Sequence, residues 1–182
     1  MRHIKIINSI LLIILIFLTT SCSNNSAMKP EDFKNKKPRL IIEEYLSGNV
    51  KAWGVLQNRS GKVTRQFSAD LNGSWDGKQL ILKEKFNWDD GEVQNREWKI
   101  NKIDEHNYEG TAGDVVGKAI GYSYGPAFKF EYVLLVPVKG KELKITFDDW
   151  IFKQDDRVAI NRATMTKFGF KVAELTVVFV KD

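Results

Sequence analysis

Two adjacent aspartates and a tryptophan interrupt an apolar strand late in the chain. Every second residue from Leu143 to Phe147 is apolar, which is the pattern of a half-buried strand, and Asp148, Asp149 and Trp150 follow. Paired carboxylates can serve glycoside hydrolysis or metal binding. Neighbouring residues of a strand point to opposite faces, however, so only one of these two aspartates can face the interior. We therefore expect a structural ion pair here rather than a catalytic pair.

A buried carboxylate needs a partner, because an isolated charge in an apolar interior is costly. Arg96 and Arg162 lie in two other predicted strands, and we expect one of them to pair with the inward aspartate. An alternative is a small enzyme that uses Asp114 or Asp149 with Arg162 in an apolar pocket. His106 lies in a predicted turn and suggests no nucleophile–histidine pair, so we assign no catalytic residue, no metal site and no cofactor.

Aromatic residues are the second group that could bind a ligand. Either they line a cavity for an apolar molecule or they fill the core, and the sequence leaves both readings open. Trp53, early in the domain, and Arg162, near its end, could also stack and close one end of a barrel, an interaction of roughly 0.5–2 kcal/mol. The candidate ligand-binding residues are Trp53, Arg96, Trp98, Tyr108, Asp114, Tyr132, Asp149, Trp150 and Arg162.

Short alternating segments separated by turn signals must position these residues. The turn signals include Arg59-Ser60-Gly61, Asn72-Gly73, Asp76-Gly77 and Asp89-Asp90-Gly91. Their spacing predicts an all-β protein, an antiparallel up-and-down barrel of about 8–10 strands. A β-sandwich is the alternative. Residues 38–46 read as a short helix or the lead-in to the first strand, and residues 114–124 as a bulged strand or a helical turn followed by a strand.

The N-terminus has the three parts of a secretory leader: a basic start, an apolar stretch and small residues before a cysteine. The segment Leu18-Thr19-Thr20-Ser21-Cys22 resembles a bacterial lipobox, so we expect residues 1–22 to be a lipoprotein signal peptide and Cys22 to be lipidated. An ordinary secretory signal is the alternative. Residues 23–37 are polar and predict a flexible tether, and residues 38–182 a single β-barrel domain.

The charge pattern argues against nucleic acid as a partner. The formal net charge is +5, and removal of Arg2 and Lys5 with the leader leaves +3. These charges are interleaved along the chain and form no basic stripe. The expected partners are therefore a membrane, through the lipid anchor, and an apolar or lipid ligand, with another envelope protein as a further possibility.

Several blocks of residues, in order, resemble an uncharacterised bacterial lipoprotein family, domain of unknown function 3833. The resemblance spans Tyr45 to Phe179 and implies an envelope lipoprotein with a lipocalin-like β fold, without an established activity. Because Ser23 rather than Asp follows the cysteine, the resemblance to lipoproteins further implies the outer membrane, facing the periplasm. The blocks are Ala52-Trp53-Gly54, Asp89-Asp90-Gly91, Arg96 with Trp98, Tyr108 with Gly110, Asp114-Val115-Val116-Gly117, Gly125 with Ala127, Phe147-Asp148-Asp149-Trp150, Asn161-Arg162, Met165 and Phe168-Gly169-Phe170.

Two functions follow as hypotheses. The first is an envelope-anchored barrel that binds or carries a lipid or another apolar small molecule. The second is a scaffold lipoprotein with a filled barrel that binds another envelope protein. An interior cavity would favour the first, and a filled interior with a large exposed apolar patch would favour the second.

Overall fold

Ten antiparallel strands close into one up-and-down barrel in the computed structural model, which describes residues 27–138 and 140–182. Each strand pairs with the next along the chain, and β1 pairs with β10 to close the sheet. The predicted lipocalin-like barrel is thus confirmed, and the sandwich alternative is wrong. The strands are β1 Gly48–Asn58, β2 Val63–Trp75, β3 Gln79–Trp88, β4 Val93–Lys102, β5 Asn107–Thr111, β6 Ala119–Tyr124, β7 Ala127–Val138, β8 Lys141–Lys153, β9 Val158–Lys167 and β10 Phe170–Lys181.

Alternation along each strand separates the interior from the outer surface. In β2, Phe67, Ala69 and Leu71 are buried while the residues between them are exposed. The hairpins reverse at glycines with positive φ, such as Gly61 at +82° and Gly91 at +87°, a conformation that glycine adopts without steric cost. The pattern and the turns together fix which side chains can reach the barrel interior.

The predicted turn at Asn72-Gly73 is wrong. Strand β2 continues through both residues, and the chain reverses at Asp76 and Gly77 instead. A Cβ on Gly73 would lie 2.0 Å from the carbonyl oxygen of Leu46, so this glycine allows a close approach of two backbones.

One end of the barrel is closed by the segment that precedes β1. This segment contains helix α1, Ile42–Tyr45, so the helical reading of residues 38–46 is correct. Leu40, Ile42 and Leu46 are almost completely buried at this end. Glu43 is buried with them, where Lys102 Nζ pairs with it and the Tyr108 hydroxyl donates a hydrogen bond of 2.9 Å. We call this end, covered by residues 40–46, the sealed end.

Part of the predicted tether packs against the barrel instead of hanging from it. Residues 27–37 contain a short 3-10 helix, Pro30–Phe33. The Phe33 ring lies 6.0 Å from the Trp150 ring and 5.5 Å from the Phe152 ring, so an apolar contact fixes this stretch to the outer face of β8. The predicted leader 1–22, with Cys22, and tether residues 23–26 lie outside the described residues.

The opposite end carries the β1–β2, β3–β4, β7–β8 and β9–β10 turns and the loop between β5 and β6. That loop, in the stretch 114–124 that the sequence left ambiguous, forms an isolated bridge between Val115 and Leu134 before β6 begins. Inward residues near these turns, among them Phe86, Trp88 and Leu175, are only partly buried. We call this end the open end. The barrel, the segment that covers its sealed end and its core all lie within residues 27–182.

Candidate ligand-binding site

A cavity of about 140 Å³ lies inside the barrel. Its wall is mostly apolar and aromatic and includes Trp98. The Trp98 ring lies 5.2 Å from the Phe130 ring and 5.3 Å from the Tyr132 ring. A cavity of this size is comparable with one that accommodates a single benzene ring. The apolar lining comprises Ile42, Leu46, Ala52, Phe67, Leu71, Leu82, Phe86, Trp88, Trp98, Ile100, Phe128, Phe130, Ile151, Leu175, Val177 and Phe179.

Two charged side chains from adjacent strands also line this cavity. Glu84 of β3 and Arg96 of β4 are register partners, and both line the cavity. Arg96 Nε and Nη2 donate hydrogen bonds of 3.0 and 2.8 Å to Asp114 Oδ2, and Arg96 Nη1 lies 3.8 Å from Glu84 Oε2. The guanidinium is therefore held between two carboxylates, one inside the cavity and one on the loop between β5 and β6.

A second polar group sits across the interior on β7, β8 and β9. The Tyr132 hydroxyl donates a 2.9 Å hydrogen bond to Asp149 Oδ2, and Asn161 Nδ2 donates to Asp149 Oδ1. Asn161 also donates to the carbonyl oxygen of Trp150. One of the two adjacent aspartates thus faces the interior as predicted, and it is Asp149. Neutral donors bind it, so the prediction that the inward aspartate pairs with Arg96 or Arg162 is wrong. Asp148 faces outward, where Lys129 pairs with it.

Burial changes the protonation of both interior acids. Loss of hydration raises the pKa of Glu84 to about 7, even though the nearby Arg96 guanidinium opposes that rise. Burial likewise raises the pKa of Asp149 to about 6, against the hydrogen bonds from Asn161 and Tyr132. Burial, helped by the Asp149 charge, raises the pKa of Tyr132 well above its ordinary value. Glu84 therefore titrates near neutral pH.

Two buried carboxylate oxygens in this group lack a hydrogen-bond donor among the described residues: Glu84 Oε2 and Asp114 Oδ1. A buried acceptor without a donor costs roughly 1–3 kcal/mol relative to one that is satisfied. The Glu84 side chain is only 11% exposed and lines the cavity. A ligand that donates a hydrogen bond there would recover that cost.

Five of the nine candidate ligand-binding residues lie inside the barrel, but they do not form one site. Arg96, Trp98, Tyr132 and Asp149 line the cavity. Tyr108 lies inside at the sealed end, where it binds Glu43. Asp114 reaches the site from its loop through Arg96.

The other three candidates lie on the outer face. Trp53 is 52% exposed, and Trp150 is buried under Phe33 outside the sheet. The Arg162 guanidinium lies on the outer face, where Glu174 is 3.7 Å away. The predicted stack of Trp53 on Arg162 is therefore wrong, because both residues occupy outward positions of their strands.

Glu84 and Asn161 are cavity residues that were absent from the candidates. The signal for Glu84 was its position: it shares one strand face with Leu82 and Phe86, where an acid is unexpected. Asn161 likewise lies on a face with Ala159 and Ala163. A polar residue at an inward position of an alternating strand is thus the feature that identifies both.

The described part of the chain has no helix with the length and apolar character that a membrane span requires. Residues 27–138 and 140–182 also hold no group of three or more His, Cys, Asp or Glu side chains that could bind a metal ion.

A family model described as "Protein of unknown function (DUF3833)" matches residues 16–181. No curated protein matches the chain significantly.

Two solved structures share the fold at low sequence identity. The S-type phycobiliprotein lyase from Guillardia theta is 9% identical with a TM-score of 0.59, and the match covers 86% of this chain and 98% of the lyase. A DUF3598-family protein with unknown function from Nostoc punctiforme is 14% identical with a TM-score of 0.60, and the match covers 81% of this chain and 51% of that protein. This chain therefore spans about half of the Nostoc protein. At such identities the likeness shows a common barrel fold.

Proposed function

The chain belongs to the DUF3833 family, and we propose that its barrel binds a small, mainly apolar molecule in the interior cavity. The observation that carries this proposal is a cavity with an apolar aromatic wall and one convergent polar group, Glu84 with Arg96. Such a combination is typical of small-molecule sites, where the apolar wall supplies affinity and a few polar groups fix orientation.

The size of the cavity limits what it encloses. Ligand pockets are commonly about 300–1,000 Å³, larger than the 140 Å³ found here. The enclosed part of the ligand is therefore about the size of one ring, and a longer lipid or pigment would extend past Trp88 and Leu175 through the open end. We propose that the ligand is lipid-like in this sense, with one compact end inside.

The cavity can be tested with toluene as a probe, on the fragment of residues 27–182. As toluene is added, the ¹H–¹⁵N NMR resonances of the backbone amides around Trp98 and Phe130, and of the Trp98 indole N–H, should shift until the site is saturated. Ala52→Val, a small increase in volume at a cavity-lining position, should weaken this binding, whereas Ala127→Val, at a buried position away from the cavity, should not. Toluene that causes no saturable shift in the folded wild-type fragment would overturn the proposal.

We also propose that lipid on Cys22 attaches the protein to the cell envelope, at the outer membrane facing the periplasm. The support is the sequence pattern before Cys22 and the serine after it. The eight residues from Ser23 to Pro30 reach at most about 28 Å when fully extended, so the barrel would stay near the bilayer. The intact mass of the wild-type protein should show the added acyl chains, and Cys22→Ser should release the protein from the membrane fraction. A wild-type mass without acyl chains would refute the anchor.

A further inference from the structure

We infer that the cavity accepts a ligand whose polar end donates hydrogen bonds, such as an alcohol or a protonated amine, and disfavours a carboxylate or phosphate end. This inference rests on the proposed function and adds the chemical class of the polar end. The reason is that two donor nitrogens of Arg96 already have a hydrogen-bond partner, whereas one oxygen each of Glu84 and Asp114 has none among the described residues.

Arg96 is the group that an anionic ligand would need, and its charge is already neutralised. Two of its nitrogens donate to Asp114 Oδ2, and a third lies near Glu84 Oε2. The guanidinium thus lies between two carboxyl groups, those of Asp114 and Glu84. An added anion would therefore meet carboxyl groups as well as the cation, and like charges at close range disfavour binding.

Two carboxylate oxygens, by contrast, are free to accept a hydrogen bond from a ligand. Glu84 Oε2 and Asp114 Oδ1 receive no hydrogen bond from the described residues, although both atoms are buried. A hydroxyl or ammonium group beside Glu84 would donate to Oε2, and an ammonium would form a charge-assisted hydrogen bond, which is about twice as strong as a neutral one. The ring-sized space beside Trp98 would hold the apolar part of the same ligand.

Four probes with the same ring separate the alternatives: toluene, benzyl alcohol, benzylamine and benzoate. At about pH 7.5, we expect benzyl alcohol and benzylamine to bind the fragment of residues 27–182 about tenfold more tightly than benzoate, the ratio given by one good hydrogen bond. Glu84→Gln should reduce benzylamine binding about tenfold more than it changes toluene binding. Glu97→Gln, on the exposed outer face of the next strand, serves as the matched control.

The outcomes are distinguishable. If toluene binds and benzoate binds as tightly as benzylamine, the proposed function stands and the inference about the polar end is overturned. If Glu84→Gln affects benzylamine no more than Glu97→Gln does, Glu84 is not the recognition group and the inference also fails. If none of the four probes binds, the proposed function itself fails.

A second inference rests on a different observation, the tip of the β9–β10 hairpin: we propose that this tip inserts into an anionic bilayer surface. Phe168 is 87% exposed and Phe170 is 77% exposed. Phe168 also has a φ of +51°, and Gly169 follows at +80°. Asparagine and glycine are the residues favoured in such two-residue turns, and phenylalanine is strained there. An exposed, strained aromatic residue is expected where it makes a contact outside its own fold.

The basic residues near this tip favour an anionic lipid surface as its partner. The β9–β10 turn lies between the β7–β8 and β1–β2 turns in the closed sheet. Basic residues outnumber acids in the described parts of these three turns and of the strand ends beside them, whereas the β3–β4 turn elsewhere on the open end carries acids. Aromatic rings flanked by lysines suit an anionic lipid interface. The basic residues are Arg59, Lys62, Lys141, Lys167 and Lys171, and the nearby acids are Glu142 and Glu174, the latter paired with Lys171.

This placement would bring the membrane to the open end of the barrel, where the cavity wall is least covered. A lipid-like ligand could then enter from the bilayer without crossing bulk water.

The test is vesicle co-sedimentation of the fragment of residues 27–182, which carries no lipid anchor. Vesicles of phosphatidylcholine with about one-third phosphatidylglycerol should bind the wild type, and added salt should weaken binding. Phe168→Asn removes the ring while creating Asn-Gly, a favoured hairpin turn, and should reduce binding about tenfold without destabilising the fold. Ile103→Asn, at a residue 58% exposed at the sealed end, is the matched control.

Two results would overturn this second inference. One is a wild-type fragment that fails to sediment with anionic vesicles, which would leave the tip as a contact for another envelope protein. The other is an equal loss of binding in Phe168→Asn and Ile103→Asn.

Discussion

Replacing Glu84 with glutamine should make the barrel more stable at neutral pH and leave its stability at acidic pH nearly unchanged. Glutamine resembles the protonated acid in shape and has no charge to bury. At about pH 4.5 the wild-type carboxyl is protonated in the folded state, so the two proteins should be alike. Above about pH 7 the wild type must hold a charged carboxylate in the interior, and the variant need not.

The direction follows from proton linkage. The pKa of Glu84 is raised in the folded state, so between 4.5 and about 7 the folded protein binds more protons than the unfolded chain. The free energy of unfolding therefore falls as pH rises through this window and levels off above it. A difference between 4.5 and about 7, at about 1.4 kcal/mol per pH unit, corresponds to about 3 kcal/mol.

Urea unfolding of the fragment of residues 27–182, followed by tryptophan fluorescence at several pH values, measures this effect. The free energy of unfolding of Glu84→Gln should exceed that of the wild type by up to about 3 kcal/mol at about pH 7.5 and should equal it near pH 4.5. The free energy of unfolding of the variant should still fall somewhat as the pH rises, because Asp149 also has a raised pKa. Glu97→Gln, on the outer face, should follow the wild type. If Glu84→Gln also follows the wild type at every pH, Glu84 is not a desolvated acid and our description of the polar group is wrong.

Two further predictions concern packing and the sealed end. Gly110→Ala should destabilise the barrel by about 1–3 kcal/mol in thermal unfolding, because its Cβ would lie 2.4 Å from Phe130, whereas Gly113→Ala, with open space around it, should be nearly neutral. Tyr108→Phe should cost about 1–2 kcal/mol at neutral pH, because it removes a buried hydrogen bond to Glu43. Burial alone would raise the pKa of Glu43, but hydrogen bonds from Lys102 and Tyr108 outweigh it and lower that pKa, so this loss should shrink below about pH 4.5. A pH-independent loss in Tyr108→Phe, or equal effects of the two glycine variants, would contradict these assignments.

The fold could be predicted because the information for it is local. The alternation in β2 and the glycines of the hairpin turns each act within a few residues, and together they require a closed antiparallel sheet. Asn72-Gly73 misled the prediction, because the reason for Gly73 is a contact with Leu46, which lies far away in the chain.

The site was only partly predictable. Whether a side chain points into the barrel, and which side chains it contacts, depends on the register between neighbouring strands. Trp53 and Trp150 were chosen for residue type, yet each occupies an outward position. Adjacency predicted that one of Asp148 and Asp149 faces the interior, but not which one. The hydrogen bonds of Asp149 to Tyr132 and Asn161 depend on how β7, β8 and β9 align. The pairing of Arg96 with Asp114 also depends on a loop that the sequence left ambiguous.

The measurement that tests the central claim most directly is native mass spectrometry of the protein purified from its own membranes, followed by organic extraction and identification of what it carries. We predict one small molecule per chain, with an apolar body and a hydroxyl or amine end, reduced in an Ala52→Val variant and retained in Ala127→Val. A protein that carries no such molecule and binds none of the ring probes after delipidation would contradict the claim that this barrel is a ligand-binding module.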